Sequence, residues 1–402
     1  MTTPTTVQDT VHETIRRRRE QLTDLSHALH DDPETALNEH RAAARIAALL
    51  DTAGFAVSRP VADLPTALDA TFGDGELVIA FCAEYDALPG IGHACGHNVN
   101  GAAAVGAALG LAAVADRIGV TVRLIGTPAE EDIGGKVLLL EAGVFDDVAA
   151  AMMVHAAAED GVAASSLAIG AWDVVYRGRP AHAALAPWEG VNALDALTVA
   201  QTSIGLLRQH LPPGSLVHGI VTEGGSAPNV VPDVARARYE VRAPSAEQLA
   251  LVQGRVASCF EAGALATGAR LELEPHGRDF ADLRQDAFLT EAYAAAARGL
   301  GRTPVSRHGE SMASTDMGNV SRLLPSIHPT IGYDTGGARQ HTAEFTAYGR
   351  TPGADRAVLD GAAALALTAV TAACDDGQRR RLLRAVAARR AGHASMSPTR
   401  MA

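Results

Sequence analysis

Aromatic residues make up only 4% of this 402-residue chain, and it contains a single lysine, Lys136. Positive charge is scarce as well: 34 Lys and Arg stand against 46 Asp and Glu, for a net charge of −12. A nucleic-acid surface needs clustered cations, so that class of partner is excluded. Two short arginine runs, Arg16 to Arg19 and Arg379 to Arg381, read as solvated helix faces. Cysteine is sparse: Cys82, Cys95, Cys259 and Cys374 are scattered, which excludes a disulfide framework and points to a reducing cytoplasm. The N-terminal segment lacks the apolar centre of a signal peptide. The longest run of small apolar residues, Gly101 to Ala115, is mostly Gly and Ala and stops at Asp116-Arg117. It reads as a tightly packed helix, so no membrane partner is expected. The few aromatics are too diffuse to argue for or against an aryl group on a substrate. The lone lysine among arginines reads as composition bias.

What is present is apolar bulk and a set of metal-type ligands. Hydrophobic residues make up 47% of the chain, and its length suits two or three domains. Residues 11 to 55 read as a helical opening, with Leu22, Leu25, Leu29 and then Ala43, Ile46, Leu49 at helical spacing. Strands at 77–81, 120–125 and 149–154 then alternate with helices at 99–114 and 135–141, which predicts a parallel sheet with right-handed crossovers. From about 171 the order becomes β-α-β-β-α-β, the split βαβ unit of ferredoxin-like domains. A helical stretch returns near 285, followed by a strand at 326–333, a Gly-rich loop to His341 and an Ala-rich helix at 356–373. The last twenty or so residues read as a frayed terminus. The expected architecture is α/β: a catalytic domain of residues 1–170 and 285–402, interrupted by an inserted α+β domain of residues 171–284.

The segment His93-Ala94-Cys95-Gly96-His97, with Pro128-Ala129-Glu130-Glu131 downstream, supplies a thiol, imidazoles and paired carboxylates. Cys and His suit zinc. Of two adjacent carboxylates on a loop, one can coordinate while the other stays free as a base. Each candidate falls just past a strand: Asp86, Cys95 and His97 after the first, Glu130 and Glu131 after the second, His155 after the third. Open α/β sheets bind ligands at these carboxyl ends. Plainer readings exist for each piece. Cys95 could be a buried thiol or a nucleophile with His97 as its base. Glu130 and Glu131 could be a solvated helix start, and His155 a satisfied core histidine.

Taken together, Glu84 to Pro89, His93 to His97, Gly126 to Glu131 and His341 resemble the dinuclear zinc aminoacylase and carboxypeptidase family of amidohydrolases. The branch they resemble holds auxin-conjugate and hippurate-type hydrolases, p-aminobenzoyl-glutamate hydrolase and dipeptidases. The resemblance implies a zinc-peptidase-like catalytic domain and an inserted lid and dimerisation domain. It implies two zinc ions per chain, with manganese or cobalt as substitutes, held by Cys95, His97, Glu131, His155 and His341. It further implies Glu130 as general base, Asp86 as the carboxylate behind a ligand, and His182 as a residue reaching an active site across a homodimer. Asn229 and Arg242 resemble residues that hold the free carboxylate of a small amide substrate. The chain departs from the family pattern at Glu84, where many members carry a ligand histidine, and at Asn98, where the auxin branch often has Asp. The expected activity is metal-dependent hydrolysis of an N-acyl amino acid, aminobenzoyl-glutamate-like conjugate or dipeptide. A Cys95 thiol hydrolase and a non-catalytic metal-stabilised binding protein are the competing readings.

Overall fold

The computed structural model describes residues 6–396. The chain separates into two compact units: Met1–Ser165, Leu283–Glu310 and Asn319–Ala402 form the first, and Ser166–Asp282 with Ser311–Gly318 form the second. The second unit thus starts at Ser166 and takes in Ser311–Gly318, a segment its expected boundaries did not include.

The first unit opens with three helices, α1 (Val7–Arg17), α2 (Arg19–Asp31) and α3 (His40–Thr52). Its main sheet has six strands. Strands β1 (Ala56–Ser58) and β2 (Leu68–Phe72) form an antiparallel edge. β2 then pairs antiparallel with β4 (Val120–Gly126), and β4 runs parallel to β3 (Leu77–Ala83). Beyond β3 lie β5 (Ala150–Met152) and the strand Ser326–Ile327, both parallel. The centre of the sheet is therefore parallel, as the alternating pattern predicts. β1 and β2 were not legible in the sequence because both are short and only partly buried.

Helix α4 (His97–Ala112) follows β3 and is buried almost throughout. Its Gly and Ala content has a packing reason. A Cβ on Gly106 would lie 2.7 Å from the Ala362 Cβ, and one on Gly101 2.7 Å from the Glu84 carbonyl oxygen. The neighbouring backbones approach too closely for anything larger. The partner at the Gly106 crossing is the helix Pro352–Cys374, apolar enough by composition to span a bilayer but largely buried in this core. Helices α5 (Ala115–Ile118) and α6 (Gly135–Glu141) flank β4.

Three expectations are corrected. The stretch 326–333 is not one strand: Ser326–Ile327 belongs to the main sheet, and Thr330–Gly332 joins a smaller one beside His155–Ala157, which we label β6. Pro329 lies in the break, and its carbonyl accepts from His155 N (2.9 Å). The C-terminal stretch is helical as far as Met396, since Asp376–Met396 is a helix with Leu382 and Val386 buried, while residues 397–402 lie outside the described residues. Nor are Arg379 to Arg381 merely a solvated face. Arg379 donates to the carbonyls of Ile118 (2.9 Å) and Gly119 (2.7 Å), and Arg381 pairs with Asp286 (2.7 Å). Arg379 thereby satisfies carbonyls at the α5 C-terminus that the helix itself leaves open.

The second unit is a four-stranded antiparallel sheet in the order Leu216–Glu223, Val234–Ala243, Ala168–Arg177, Arg270–Pro275. The helices Ala193–Leu207 and Ala246–Thr267 cover one face, packing Leu197, Ile204, Val256 and Phe260 against Val174, Tyr176 and Val241. This is the β-α-β-β-α-β order read from the sequence.

Candidate metal centre

Four segments carry the candidate ligands: those that follow β3, β4 and β5, His97 opening α4 and His155 opening β6, and the loop before the Pro352–Cys374 helix. The β3 loop ends at Gly96 (φ +75°), which starts α4. A Cβ there would meet the Ala156 Cβ at 2.4 Å, so glycine is required both for backbone angle and for space. His97, the first residue of α4, is thereby turned into the interior, with its side chain 1% exposed.

Asp86 fixes two of the groups around it. One carboxylate oxygen accepts from His97 Nδ1 (3.0 Å) and the other from the Glu131 backbone N–H (3.0 Å). The Asp86 carbonyl also faces His97 Nδ1 at 3.0 Å. In the neutral ring the two acceptors on Nδ1 hold the proton there, which frees Nε2 to present its lone pair to a cation. A carboxylate behind one ring nitrogen is the usual support for a histidine that ligates through the other. His97 Nε2 is buried without a hydrogen-bond partner. It faces Glu84 Oε2 at 3.5 Å and Glu131 Oε1 at 3.8 Å. Burial works against charge on His97, but the carboxylates of Asp86 and Glu84 outweigh it and raise its pKa well above the ordinary value. The pocket therefore calls for a cation at this point.

The β4 loop is pinned residue by residue. Thr127 N donates to the Ala83 carbonyl (2.8 Å), and Ala129 N donates to the buried carboxylate of Glu39 (2.8 Å). Ala129 itself is left-handed (φ +57°). Gly135 opens α6 against this loop, where a Cβ would stand 1.9 Å from the Pro128 carbonyl oxygen. Glu130 is thereby buried and Glu131 half-buried.

The donor atoms fall into two sets of three. Cys95, Glu131 and His341 offer ligand atoms within 4.8 Å of one another, and so do Glu84, His97 and His155. A third grouping, His97, Glu130 and Glu131, links the two. His341 comes from far along the chain and lies in no helix or strand. Its backbone N–H donates to the Ala94 carbonyl (3.0 Å), and its Nε2 stands 3.8 Å from Glu131 Oε2. His155 Nδ1 donates to the Ala156 carbonyl (2.9 Å), and burial lowers its pKa. Burial, then the charge of Glu131, pushes the Cys95 thiol well above its ordinary pKa. The orphaned His97 nitrogen and these mixed sulfur, nitrogen and oxygen donors fit a metal ion.

Sequence reasoning singled out Glu84 only as a departure at a ligand position, and it did not identify Lys136, Asn100 or His328 as parts of this centre. Glu84 is fully buried, with Oε1 2.6 Å from Lys136 Nζ and Oε2 accepting from Asn100 Nδ2 (3.0 Å). Burial opposes its charge, but Lys136 and the nearby imidazoles hold the carboxyl below its usual range. His328 is buried with both ring nitrogens unpartnered, its ring centroid 5.3 Å from that of His155. The available signal was its place after the strand Ser326–Ile327, much as His155 follows β5.

His182, Asn229 and Arg242 lie in the second unit. His182 and Asn229 share one loop pair, where Ala183 N donates to the Asn229 carbonyl (3.0 Å), and both side chains are exposed. Arg242 sits on the strand Val234–Ala243, where it donates to Ser314 Oγ and Glu240 Oε2 (3.1 Å each).

Comparison with known proteins completes the picture. The model of peptidase family M20/M25/M40 matches residues 68–370. The mouse (Mus musculus) Xaa-Arg dipeptidase is 40% identical over 379 residues, covering 89% of this chain and 87% of that protein. A p-aminobenzoyl-glutamate hydrolase chain from Escherichia coli is 31% identical, over 91% of this chain and 92% of that one. A dinuclear metal-binding M20 peptidase from Bacillus subtilis has the same fold, with a TM-score of 0.67 at 24% identity over 89% of this chain and 98% of that one. The chain belongs to peptidase family M20/M25/M40 and is a hydrolase of carbon–nitrogen bonds.

Proposed function

We propose that this enzyme hydrolyses the amide bond of a dipeptide or N-acyl amino acid with a free carboxylate, using two zinc ions. Cys95, Glu131 and His341 would hold one ion, and His97 and His155 the other. The observation that carries this reading is the pair of three-donor sets joined through Glu131 and His97. Bound zinc supplies Lewis acidity and brings the ionisation of a water from about pH 15.7 to about 7. Glu130 takes the proton of the attacking water and passes it to the leaving nitrogen. Asp86 keeps His97 in the ligating tautomer. His182 stabilises the oxyanion, and Asn229 and Arg242 hold the substrate carboxylate, Arg242 by its planar fork. The names of the relatives favour dipeptides ending in arginine, with p-aminobenzoyl-glutamate next.

A homodimer through the second unit is part of this proposal. Its edge strand Leu216–Glu223 has one side unpaired in the sheet and exposes Leu216, Ile220 and Val221. Natural sheets seldom leave such an edge uncovered. Four free thiols suit a reducing cytoplasm.

The thiol-hydrolase reading needs a Cys95 with a lowered pKa, whereas burial and Glu131 raise it. Chelation followed by zinc titration, assayed on a panel of dipeptides and acyl amino acids, tests the proposal. Activity lost on chelation and restored by zinc is expected. Activity that survives chelation and dies on alkylation would favour Cys95 as nucleophile. Metal binding without turnover of any panel member would leave a binding protein.

A further inference from the structure

We propose that Glu84 is a metal ligand at the His97–His155 position, and that Lys136 is its positioning residue. This rests on the dinuclear reading above. The separation of Glu84 Oε2 from His97 Nε2, 3.5 Å, is too long for a hydrogen bond. It matches the roughly 3.4 Å between two donors of one tetrahedral ion with bonds of about 2.1 Å. His97 Nε2 has no hydrogen-bond partner in a fully buried setting. The Glu84, His97 and His155 donors all lie within 4.8 Å of one another.

The remaining contacts of Glu84 explain how such a ligand is held. Lys136 Nζ takes Oε1 at 2.6 Å, leaving Oε2 to face the imidazoles. Asn100 Nδ2 donates to Oε2 (3.0 Å), while its Oδ1 accepts from Ala156 N (2.8 Å), beside His155. One network thus ties α6, the end of β3, α4 and the His155 segment together. Lys136 is completely buried, a costly place for an ammonium unless a carboxylate requires it. The single lysine of the chain is therefore placed by chemistry, whatever the bias that favours arginine elsewhere.

The test is cobalt(II) titration of the metal-stripped full-length protein. The sulfur-to-cobalt charge-transfer band reports the Cys95 position, and the ligand-field bands report both positions. Wild type should take two equivalents. Glu84→Gln should keep the sulfur band at wild-type affinity and weaken the other equivalent by ~10–100-fold or more. Lys136→Met should weaken the same equivalent by a smaller factor and shift its ligand-field bands. The double variant E84Q/K136M removes the buried charge pair as a whole; it should be folded and still lack the second equivalent. Two equivalents at wild-type affinity in E84Q or in the double variant would overturn the proposal. So would loss of both equivalents together in a folded variant. A wild-type protein that takes fewer than two equivalents, or shows no sulfur band, would instead bring down the dinuclear reading itself.

Discussion

Glu130 and Glu131 are neighbours with different environments, and the difference suits them to the different roles proposed for them. Glu131 has its backbone N–H tied to Asp86 and its side chain between His97 and His341. Glu130 is the buried member that links to the His97 grouping. Glu130→Gln should lower kcat by about 10²–10⁴-fold while metal content, read by elemental analysis, stays unchanged. Glu39 offers a pH test. Its carboxyl, fully buried and accepting from Thr66 (2.8 Å), is pushed up to about 7 by burial, with the Asp86 charge adding to this. A group whose folded pKa is raised adds stability that is complete below its ordinary 4.5 and lost as pH rises through about 7. The stability of wild type relative to Glu39→Gln should therefore fall between pH 4.5 and 7, by on the order of 1–3 kcal/mol, in thermal melts of metal-free protein. Lys136→Met alone should cost about 3–5 kcal/mol, because it leaves a buried carboxylate uncompensated. Residue identity made Cys95, His97 and Glu131 legible in the sequence. Lys136 was not, since a buried ammonium reads like any surface lysine until its carboxylate partner is seen.

At the scale of elements, the centre depends on loops that leave no room. Gly96 and Gly135 each bring backbone to within less than a side chain of a neighbouring segment. Gly96→Ala should destabilise the protein by at least ~1–2 kcal/mol from backbone angle alone. Because the clash is with Ala156, next to His155, it should also weaken metal binding, measured by calorimetric titration. The parallel strands and the ferredoxin-like order were legible from periodicity, because long buried strands and amphipathic helices carry strong patterns. The change of sheet between Ile327 and Thr330 was not. Little in the sequence but Pro329 marks it. The C-terminal helix Asp376–Met396 escaped for a different reason: its arginines look solvated, yet they satisfy carbonyls and Asp286.

At the scale of the whole molecule, the proposed dimer would form through the edge strand Leu216–Glu223 of the second unit. Ile220 is 64% exposed on it. Ile220→Arg should convert a dimer to a monomer in light-scattering chromatography and leave the melting of the monomer unchanged. If His182 acts across that interface, turnover should fall with dimer content. The proposed chemistry, however, depends on a convergence of distant segments, residues 84–97, 130–131, 155 and 341, around a shared pair of ions. Anomalous diffraction at the zinc edge from crystals of the loaded enzyme tests it most directly. The account predicts two peaks, one in contact with Cys95, Glu131 and His341, the other with His97 and His155. A single peak elsewhere, or none within bonding distance of these side chains, would contradict it.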